Sequence, residues 1–492
     1  MKRKLIAQLE NWRDSLQKKP LILSGAKGTG KTYLALAFAN TYYDSYTYLN
    51  FENNPVNLES GLQAGKDDLA AFFTCILTKD RKKLPLCDAQ LNGRHIFLLD
   101  EIAHCGSFES LMEGLKKQFP EADILAISSI EPDCMGKSLS RKDYQHLILR
   151  PLDFEEFLMA TGNDWYMEVI KEQYRNGIAI PDIVHKELLE LLEEYLYVGG
   201  LPLAVNEYVS TGGKENITEI HKNILSSCLF EAAIQKGDSC GLKVKQILYS
   251  LPKQLSKRNK KFQYSLLRKG ATEGLYLEGH SYLNNACLGI YNIKITEEEL
   301  ESSRVVPGNL YQNTGMRMYL LDVGLYHSLI RIAGTDKDED FRSGLLESYA
   351  AQALQAAGIE FGYWESPSML HSLFLLKDRE VSGGIFRGVS RGIPEETSRG
   401  ISGETSGKIS GKVSGEISPG YGKNTDSTEK VLPMEIREAG DNRSKSLSSF
   451  HEKHPGVSCS VKVSSGNKAK ASNEPDSNKM ELPLYCMFCL GL

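Results

Sequence analysis

Several features that define other classes of protein are missing from this sequence of 492 residues. No run of apolar residues approaches about 18, so the sequence predicts no membrane-spanning helix. The opening stretch MKRKLIAQLENWRD is basic but has no apolar segment behind it, and we expect no signal peptide. The formal net charge is only −5 and the pI about 6.1, so the chain as a whole has no electrostatic attraction for nucleic acid or anionic membrane.

Regularly spaced cysteines are also missing, although the chain has ten cysteines in all. This scatter is typical of reduced thiols, and we expect a cytoplasmic protein. One pair, Cys486 and Cys489, has CxxC spacing in an apolar tail. A zinc site needs four ligands and no second pair is suitably placed, so we expect both cysteines to be buried in a strand.

The composition that is present, 41% hydrophobic and 25% charged residues, is typical of packed globular domains. Across the first 150 residues or so, short apolar runs alternate with helical patterns. The runs predicted as strands are 21–24, 46–51, 95–100 and 123–128. Strands buried on both faces and separated by helices predict an α/β fold with a parallel sheet.

The strongest local signal is GAKGTGKT, which fits the phosphate-loop pattern GxxxxGK[ST] between an apolar strand and a helical segment. In such a loop, backbone amides and the helix N-terminus surround phosphate oxygens. Lys31 is expected to reach the β- and γ-phosphates and assist catalysis, and the Thr32 hydroxyl to bind Mg²⁺. The candidate ATP-binding residues of the loop are Gly25, Ala26, Lys27, Gly28, Thr29, Gly30, Lys31 and Thr32.

A second signal is HIFLLDE, where a buried strand delivers two acids at its carboxyl end, the edge at which ligands bind in parallel sheets. Asp100 is expected to hold Mg²⁺ with Thr32, and Glu101 to activate the attacking water. A third signal, DILAISS, places Ser128 or Ser129 near the γ-phosphate, with Ser129 taken as the nucleotide-binding candidate.

Two arginines follow these strands, at positions 141 and 150. Either Arg141 or Arg150 could present a guanidinium to the nucleotide of a neighbouring subunit. The alternative for each is a surface or ion-paired arginine.

Together these segments resemble a prokaryotic family of AAA-superfamily ATPases with a winged-helix segment and a C-terminal domain of restriction-endonuclease-like ancestry. The resemblance covers nearly the whole chain and supports Gly25, Gly30, Lys31, Thr32 and Asp100 individually. It implies ATP and Mg²⁺ as ligands, and homo-oligomers, since many ATPases of this superfamily form rings. The segments that carry it are KPLILSGAKGTGKTYL, YLNFENNP, LLDEI, RPLDFEEFL, YVGGLPLAV, LPKQLSKRNKKFQYSLLRKGA, MYLLDVGL and LPLY.

The resemblance also implies a division into four parts. These are an ATP-binding domain at 1–160, a helical subdomain at 161–239, a winged-helix-like segment at 240–335 and a degenerate endonuclease-like domain at 336–492. The last part contains a Gly/Ser-rich insertion at 382–430, which we interpret as a flexible segment.

The endonuclease-like part departs from the nuclease pattern at two positions. Glu347 matches the helix acid and Glu435 the glutamate of ExK. Leu373, however, stands in the place of the metal-binding aspartate and offers Mg²⁺ no oxygen. Arg437 stands in the place of the lysine, where a compact point charge is needed. We therefore expect no DNA cleavage and a structural remnant or binding surface instead.

One further segment, KQLSKRNKKFQYSLLRKG at 253–270, has seven basic residues, no acid and two interleaved aromatics. It could bind DNA phosphates in a salt-dependent way, or it could be a solvated face of a helical domain. Two hypotheses for function thus remain. In the first, the protein hydrolyses ATP and the energy drives a conformational change. In the second, it is a nucleotide-gated DNA- or protein-binding module with negligible turnover.

Overall fold

A computed structural model describes residues 1–16, 18–52, 94–105, 108–132, 142–301, 315–334, 339–368, 371–377, 431–438, 445–457, 459–467 and 479–491. Arg141 and the insertion at 382–430 lie outside these described residues. No helix among the described residues has the length and apolar character needed to cross a bilayer.

The N-terminal part is a five-stranded sheet in which every neighbouring pair is parallel, in the order β2-β3-β4-β1-β5. This confirms the predicted α/β fold and the parallel sheet, and three of the four predicted strands have the predicted bounds. Its elements are α1 (Leu5–Arg13), β1 (Leu21–Ser24), α2 (Lys31–Tyr42), β2 (Ser45–Asn50), β3 (His95–Asp100), α3 (Phe108–Gln118), β4 (Asp123–Ser128) and β5 (Gln145–Ile148).

Alternate residues of the buried strands face opposite sides of this sheet, as strand geometry requires. In β1, Leu21 and Leu23 pack with α1 and α2, whereas Ile22 packs with α3. The sheet is therefore covered on both faces, which explains why its strands are continuous apolar runs. This arrangement brings the ends of β1, β3 and β4 together at one edge.

A helical part follows, interrupted by a two-stranded antiparallel hairpin, β6–β7. Its elements are α4 (Phe154–Ala160), α5 (Asp164–Asn176), α6 (Asp182–Val198), α7 (Pro202–Thr211), α8 (Ile217–Lys236), α9 (Asp238–Leu255), α10 (Glu273–Asn285), β6 (Gly289–Ile293), α11 (Glu297–Glu301), β7 (Met316–Leu320) and α12 (Val323–Ile332). The turn between α6 and α7 contains Gly200, which is sterically required because a Cβ there would lie 1.9 Å from the Leu152 carbonyl oxygen.

The C-terminal part contains a mixed sheet in the order β12-β11-β10-β9-β8, with β8, β9 and β10 antiparallel and β10, β11 and β12 parallel. Its elements are α13 (Glu339–Ala356), β8 (Phe361–Glu365), β9 (Ser372–Lys377), β10 (Val431–Ile436), α14 (Lys445–Lys453), β11 (Ser460–Ser464), β12 (Lys479–Pro483) and a closing 3₁₀ helix, Leu484–Gly491.

Cys486 and Cys489 lie in that 3₁₀ helix, so the prediction that they occupy a strand is wrong, although both are buried as expected. A proline at the end of β12 stops the ladder, and the apolar residues after it pack into the core from a helical turn. One continuous cluster of buried side chains then joins the helical part, the hairpin and one face of the C-terminal sheet.

Candidate functional site: a phosphate loop at the edge of the parallel sheet

The loop between β1 and α2 turns back on itself through three glycines with positive φ: Gly25 at 147°, Gly28 at 87° and Gly30 at 90°. A Cβ on Gly25 would lie 2.2 Å from the Leu149 carbonyl oxygen, so only glycine fits there. Such a turn points successive backbone amides toward one centre, which suits an anion. α2 begins immediately afterwards at Lys31 and aims its N-terminus at the same place.

The ammonium group of Lys31 lies inside this turn. Its Nζ donates to the Ala26 carbonyl at 3.0 Å and to the Ser129 hydroxyl at 3.1 Å. Burial lowers the pKa of Lys31, and the nearby carboxylate of Glu101 opposes that shift. The lysine is thus held by two neutral oxygens in a site from which water is largely excluded.

Asp100 ends β3 as a buried carboxylate beside the start of α2. Its Oδ2 accepts hydrogen bonds from the Thr32 hydroxyl at 2.9 Å, the Tyr48 hydroxyl at 2.7 Å and the Asn50 amide at 3.3 Å. Burial, followed by the bond to Asp100, raises the pKa of Tyr48 to about 12. Hydroxyl and carboxylate oxygens, the ligand types that Mg²⁺ prefers, are therefore adjacent here.

Glu101 has a left-handed backbone conformation, with φ of 54°, which is unusual for a residue other than glycine. Its carboxylate accepts from the Ser129 hydroxyl at 2.6 Å and from the Ser129 amide at 3.3 Å. Ser128 instead donates its hydroxyl proton to the Ile130 carbonyl at 2.7 Å. Of the two candidate serines, Ser129 is the one that joins Glu101 to Lys31.

Later and earlier segments of the chain also contact the loop. Lys27 forms ion pairs with Glu231 of α8 and with Glu52, the latter at 3.0 Å. Arg3 donates to the Thr29 carbonyl at 3.0 Å. No local sequence pattern links residues so far apart, so these partners could not be predicted from the sequence.

The segment that follows α10 reaches the end of β4. The Glu131 amide donates to the Asn285 carbonyl at 3.0 Å, and the Cys287 thiol donates to Glu131 Oε1 at 3.4 Å. Burial raises the pKa of Cys287, and burial lowers the pKa of Arg150, which interacts electrostatically with both Cys287 and Glu131. The structure thus places Arg150 close to Glu131 and Cys287. Arg141 lies outside the described residues.

The candidate nuclease residues are each held by other contacts, although Leu373 and Glu435 lie on the neighbouring strands β9 and β10. Glu347 on α13 bonds to Lys260 at 3.1 Å and Tyr319 at 3.0 Å. Leu373 on β9 is 2% exposed in an apolar cluster, and Glu435 on β10 pairs with Arg437 at 2.8 Å. Within the described part of the chain, no three His, Cys, Asp or Glu side chains are grouped to hold a metal ion.

The basic segment 253–270 is only partly a surface. Phe262 is buried with its ring edge-to-face against His280, at 4.8 Å between centroids, so it offers no exposed face to a base. Lys260 is buried and paired with Glu347. The remaining basic residues of the segment are exposed: Lys253, Lys257, Arg258, Lys261, Arg268 and Lys269.

Comparison with known proteins gives one domain match and distant structural likenesses. Residues 17–158 match a family described as an AAA domain. A Walker-type ATPase of Pyrococcus abyssi is 15% identical with a TM-score of 0.38, covering 66% of this chain and 95% of the other. The Drosophila ORC structure bound to DNA is 13% identical with a TM-score of 0.24, covering 68% and 95%. RuvB of Thermotoga maritima is 14% identical with a TM-score of 0.23, covering 74% and 87%.

No curated protein matches the chain. The domain match and the loop geometry together show that the N-terminal part is an AAA-type domain with a phosphate loop, a kind of domain that binds ATP.

Proposed function

We propose that this protein binds ATP with Mg²⁺ at the loop Gly25–Thr32 and hydrolyses it to ADP and phosphate. The observation that carries the proposal is the pairing of Thr32 with Asp100 at 2.9 Å beside the buried ammonium of Lys31. A hydroxyl, a carboxylate and a cation at the mouth of a glycine turn are the groups that this chemistry needs. The proposed nucleotide-binding set is Gly25, Ala26, Lys27, Gly28, Thr29, Gly30, Lys31, Thr32, Asp100 and Ser129.

The donor set fits Mg²⁺. Thr32 and Asp100 would hold the ion, and every group on Asp100 Oδ2 is a neutral hydroxyl or amide rather than a competing cation. When bound, Mg²⁺ would neutralise charge on the β- and γ-phosphates. Side chains of the protein itself would activate the water molecule and stabilise the phosphoryl oxygens.

Glu101 is the proposed general base. Its carboxylate lies one residue beyond Asp100 and is held by the Ser129 hydroxyl and amide. In this role it orients a water molecule toward the γ-phosphate and accepts a proton from it. Lys31 stabilises the negative charge of the phosphoryl oxygens as the bond to the leaving group breaks.

Hydrolysis is proposed to change how the later segments pack on the loop. Lys27 pairs with Glu231, and Glu131 bonds to the last residue of α10 and to Cys287 after it, so parts of the chain far from the P-loop in sequence contact the site directly. Loss of the γ-phosphate would remove negative charge from the site, and the contacts of Lys27 and Glu131 would then lie beside a different charge. This is how ATP turnover would drive a conformational change in the helical part and the hairpin.

We extend the proposal to the remaining parts of the chain. The division at 1–160, 161–239, 240–335 and 336–492 is retained, with the last part catalytically inactive because Leu373 offers no metal ligand. Homo-oligomerisation and a cytoplasmic location are also proposed.

A second candidate function is a nucleotide-gated module that binds DNA or a protein and turns over negligibly. The exposed basic residues of 253–270 favour it. The helix α10, in contrast, contributes no Lys or Arg, and its exposed Glu278 pairs with Lys243 at 2.9 Å. Failure of the protein to retard duplex DNA at low salt would remove the DNA version of this alternative.

Phosphate release from ATP separates the two functions. Wild type, Lys31→Ala and Glu101→Gln are compared, with Lys116→Ala on the exposed face of α3 as the matched control. Hydrolysis predicts that Glu101→Gln loses roughly 10²-fold or more in turnover while Lys116→Ala equals wild type. Equal background release from all four proteins would overturn the ATPase proposal. ATP binding by wild type without turnover would favour the gated module.

A further inference from the structure

A cluster of polar side chains is buried between the hairpin β6–β7, strand β8 and helix α13, far along the chain from the phosphate loop. Its centre is Arg317 on β7, which is 1% exposed. Asn292 lies directly across from it in the hairpin, as the Cα partner of Arg317 in the antiparallel register, and is 0% exposed. Directly opposed residues of an antiparallel pair present their side chains on the same face. These two side chains therefore share one buried compartment.

The guanidinium of Arg317 uses only part of its hydrogen-bonding capacity. Nη1 contacts Glu347 at 3.5 Å, and the planar face lies over the Tyr363 ring at 4.2 Å. Within the described residues, Nε and Nη2 have no hydrogen-bond partner although both are buried. Nε and Nη2 form one edge of the guanidinium, the edge that binds carboxylate or phosphate through two parallel hydrogen bonds.

Two further groups in this compartment lack well-formed hydrogen bonds. Both amide atoms of Asn292 and the hydroxyl of Tyr363 are buried without a hydrogen bond of normal geometry in the described part of the chain, although Asn292 interacts with Tyr319 and Tyr363 with Arg317. Buried donors left unsatisfied destabilise a fold, and folded proteins rarely keep several together. A small ligand rich in acceptors would satisfy all of them at once.

The charge around the cluster favours an anion. Two acids lie near the cluster, and each is paired with a lysine: Glu347 with Lys260 at 3.1 Å and Glu365 with Lys294 at 3.4 Å. Lys261 is exposed. Its ammonium nitrogen and the Tyr363 hydroxyl oxygen both lie close to Gly315, since a Cβ on that glycine would be 3.3 Å from the nitrogen and 3.2 Å from the oxygen. Lys261 thus connects the buried cluster with the exposed basic residues of 253–270.

We propose that Arg317, Asn292, Tyr363 and Lys261 form a binding site for a phosphate group, distinct from the phosphate loop. Arg317 provides the two-bond edge, and Tyr363 and the Asn292 amide nitrogen add further donors, which suits a phosphate group, with more acceptor oxygens than a carboxylate. The Asn292 carbonyl accepts from a protonated phosphate oxygen. Sulfate, which carries no such proton at neutral pH, binds more weakly than phosphate.

The test uses full-length Lys31→Ala, in which anion binding by the phosphate loop is weakened, and titrates inorganic phosphate calorimetrically at constant ionic strength. The expected result is one saturable site, weaker by roughly tenfold in Tyr363→Phe, since a hydrogen bond to a charged group is lost. Tyr349→Phe is the matched control, because its hydroxyl donates instead to the Leu484 carbonyl. Asn292→Leu is a second variant, expected to reduce the preference for phosphate over sulfate. Thermal unfolding confirms that each protein is folded.

Absence of saturable phosphate binding, or equal affinity in the parent, Tyr363→Phe and Asn292→Leu proteins, would overturn the proposal and leave ordered water as the partner of these groups. The same proteins titrated with a short DNA duplex identify the source of the phosphate. If a DNA backbone supplies it, Tyr363→Phe weakens duplex binding and inorganic phosphate competes with the duplex. If free phosphate is the ligand, Tyr363→Phe binds the duplex as its parent does.

Discussion

The hydroxyl of Thr32 and the carboxylate of Asp100 are 68 residues apart in the chain and 2.9 Å apart in the structure. Thr32 lies in the first turn of α2 and Asp100 ends β3, so their contact depends on β3 lying close to β1 at one edge of a parallel sheet. The same edge receives Ser129 from β4. The proposed chemistry of this protein is concentrated at that edge.

Ser129 is expected to matter for turnover more than for binding. Ser129→Ala removes the hydroxyl that joins Lys31 to Glu101, so the general base loses its orientation, and we expect roughly a tenfold fall in kcat. The affinity for ATP should change little, since the loop amides are untouched. Steady-state phosphate release and equilibrium ATP binding measure the two effects.

The matched control is Ser128→Ala, which removes a hydroxyl that donates to the Ile130 carbonyl at 2.7 Å. It should leave kcat within a factor of about two of wild type. Equal loss of kcat in both variants would show that Ser129 acts only through the local fold.

Much of this edge was predictable from sequence because its signals are local. The apolar runs 95–100 and 123–128 each end at a polar residue, so the bounds of β3 and β4 are confirmed, and the acids and serines at their ends remain predicted site residues. The loop pattern itself identified the glycines whose φ values are positive.

The remainder depends on contacts between distant segments, which no local pattern encodes. Lys260 was interpreted as part of a basic surface, yet an ion pair with Glu347 on α13 buries it. The contact of Cys287 with Glu131 spans 156 residues, and the two C-terminal cysteines lie in a 3₁₀ helix because a proline ends β12. In each case tertiary packing overrides what composition alone indicates.

Asp322 is expected to make stability depend on pH. Its carboxylate accepts from the Gly200 amide at 2.6 Å and the Leu325 amide at 3.0 Å, and burial raises its pKa to about 6. The unfolded chain has a pKa near 4, so the folded state holds the proton more tightly. The contribution of Asp322 to the free energy of unfolding is therefore fully present below about pH 4 and is lost as the pH rises through about 6.

Between about pH 5 and about pH 7 that loss amounts to roughly 1.4 kcal/mol. Asp322→Asn lacks a titrating carboxyl, so the stability of wild type relative to this variant should fall by that amount over the same range. Urea unfolding at the two pH values measures it. If the difference in the free energy of unfolding between wild type and Asp322→Asn is the same at both pH values, the assignment to Asp322 is contradicted.

Leu373 is expected to be structural. Leu373→Ala leaves a cavity beside Trp364 and Phe450 and should destabilise the protein by about 2–5 kcal/mol. Leu373→Asp should destabilise it further, because a carboxylate must be buried without a cation. Denaturant unfolding of the three proteins gives the order.

Because Leu373 stands in the place of the metal-binding aspartate, we predict that the protein does not cleave DNA. Wild type and Leu373→Asp should both leave supercoiled plasmid intact with Mg²⁺ or Mn²⁺. Nicking by wild type that disappears in Glu435→Gln would show instead that the nuclease-like part is active.

The central claim is that the turn Gly25–Thr32 holds a triphosphate with its magnesium. Calorimetric titration of the full-length protein with ATP and MgCl₂ tests it most directly, beside Lys31→Ala and the surface control Lys116→Ala. We predict saturable binding to wild type and Lys116→Ala, and at least a tenfold weaker affinity in Lys31→Ala, because a buried cation facing the phosphates is removed. Folded wild-type protein that gives no binding heat across several temperatures, or Lys31→Ala that binds as tightly as wild type, would contradict the account.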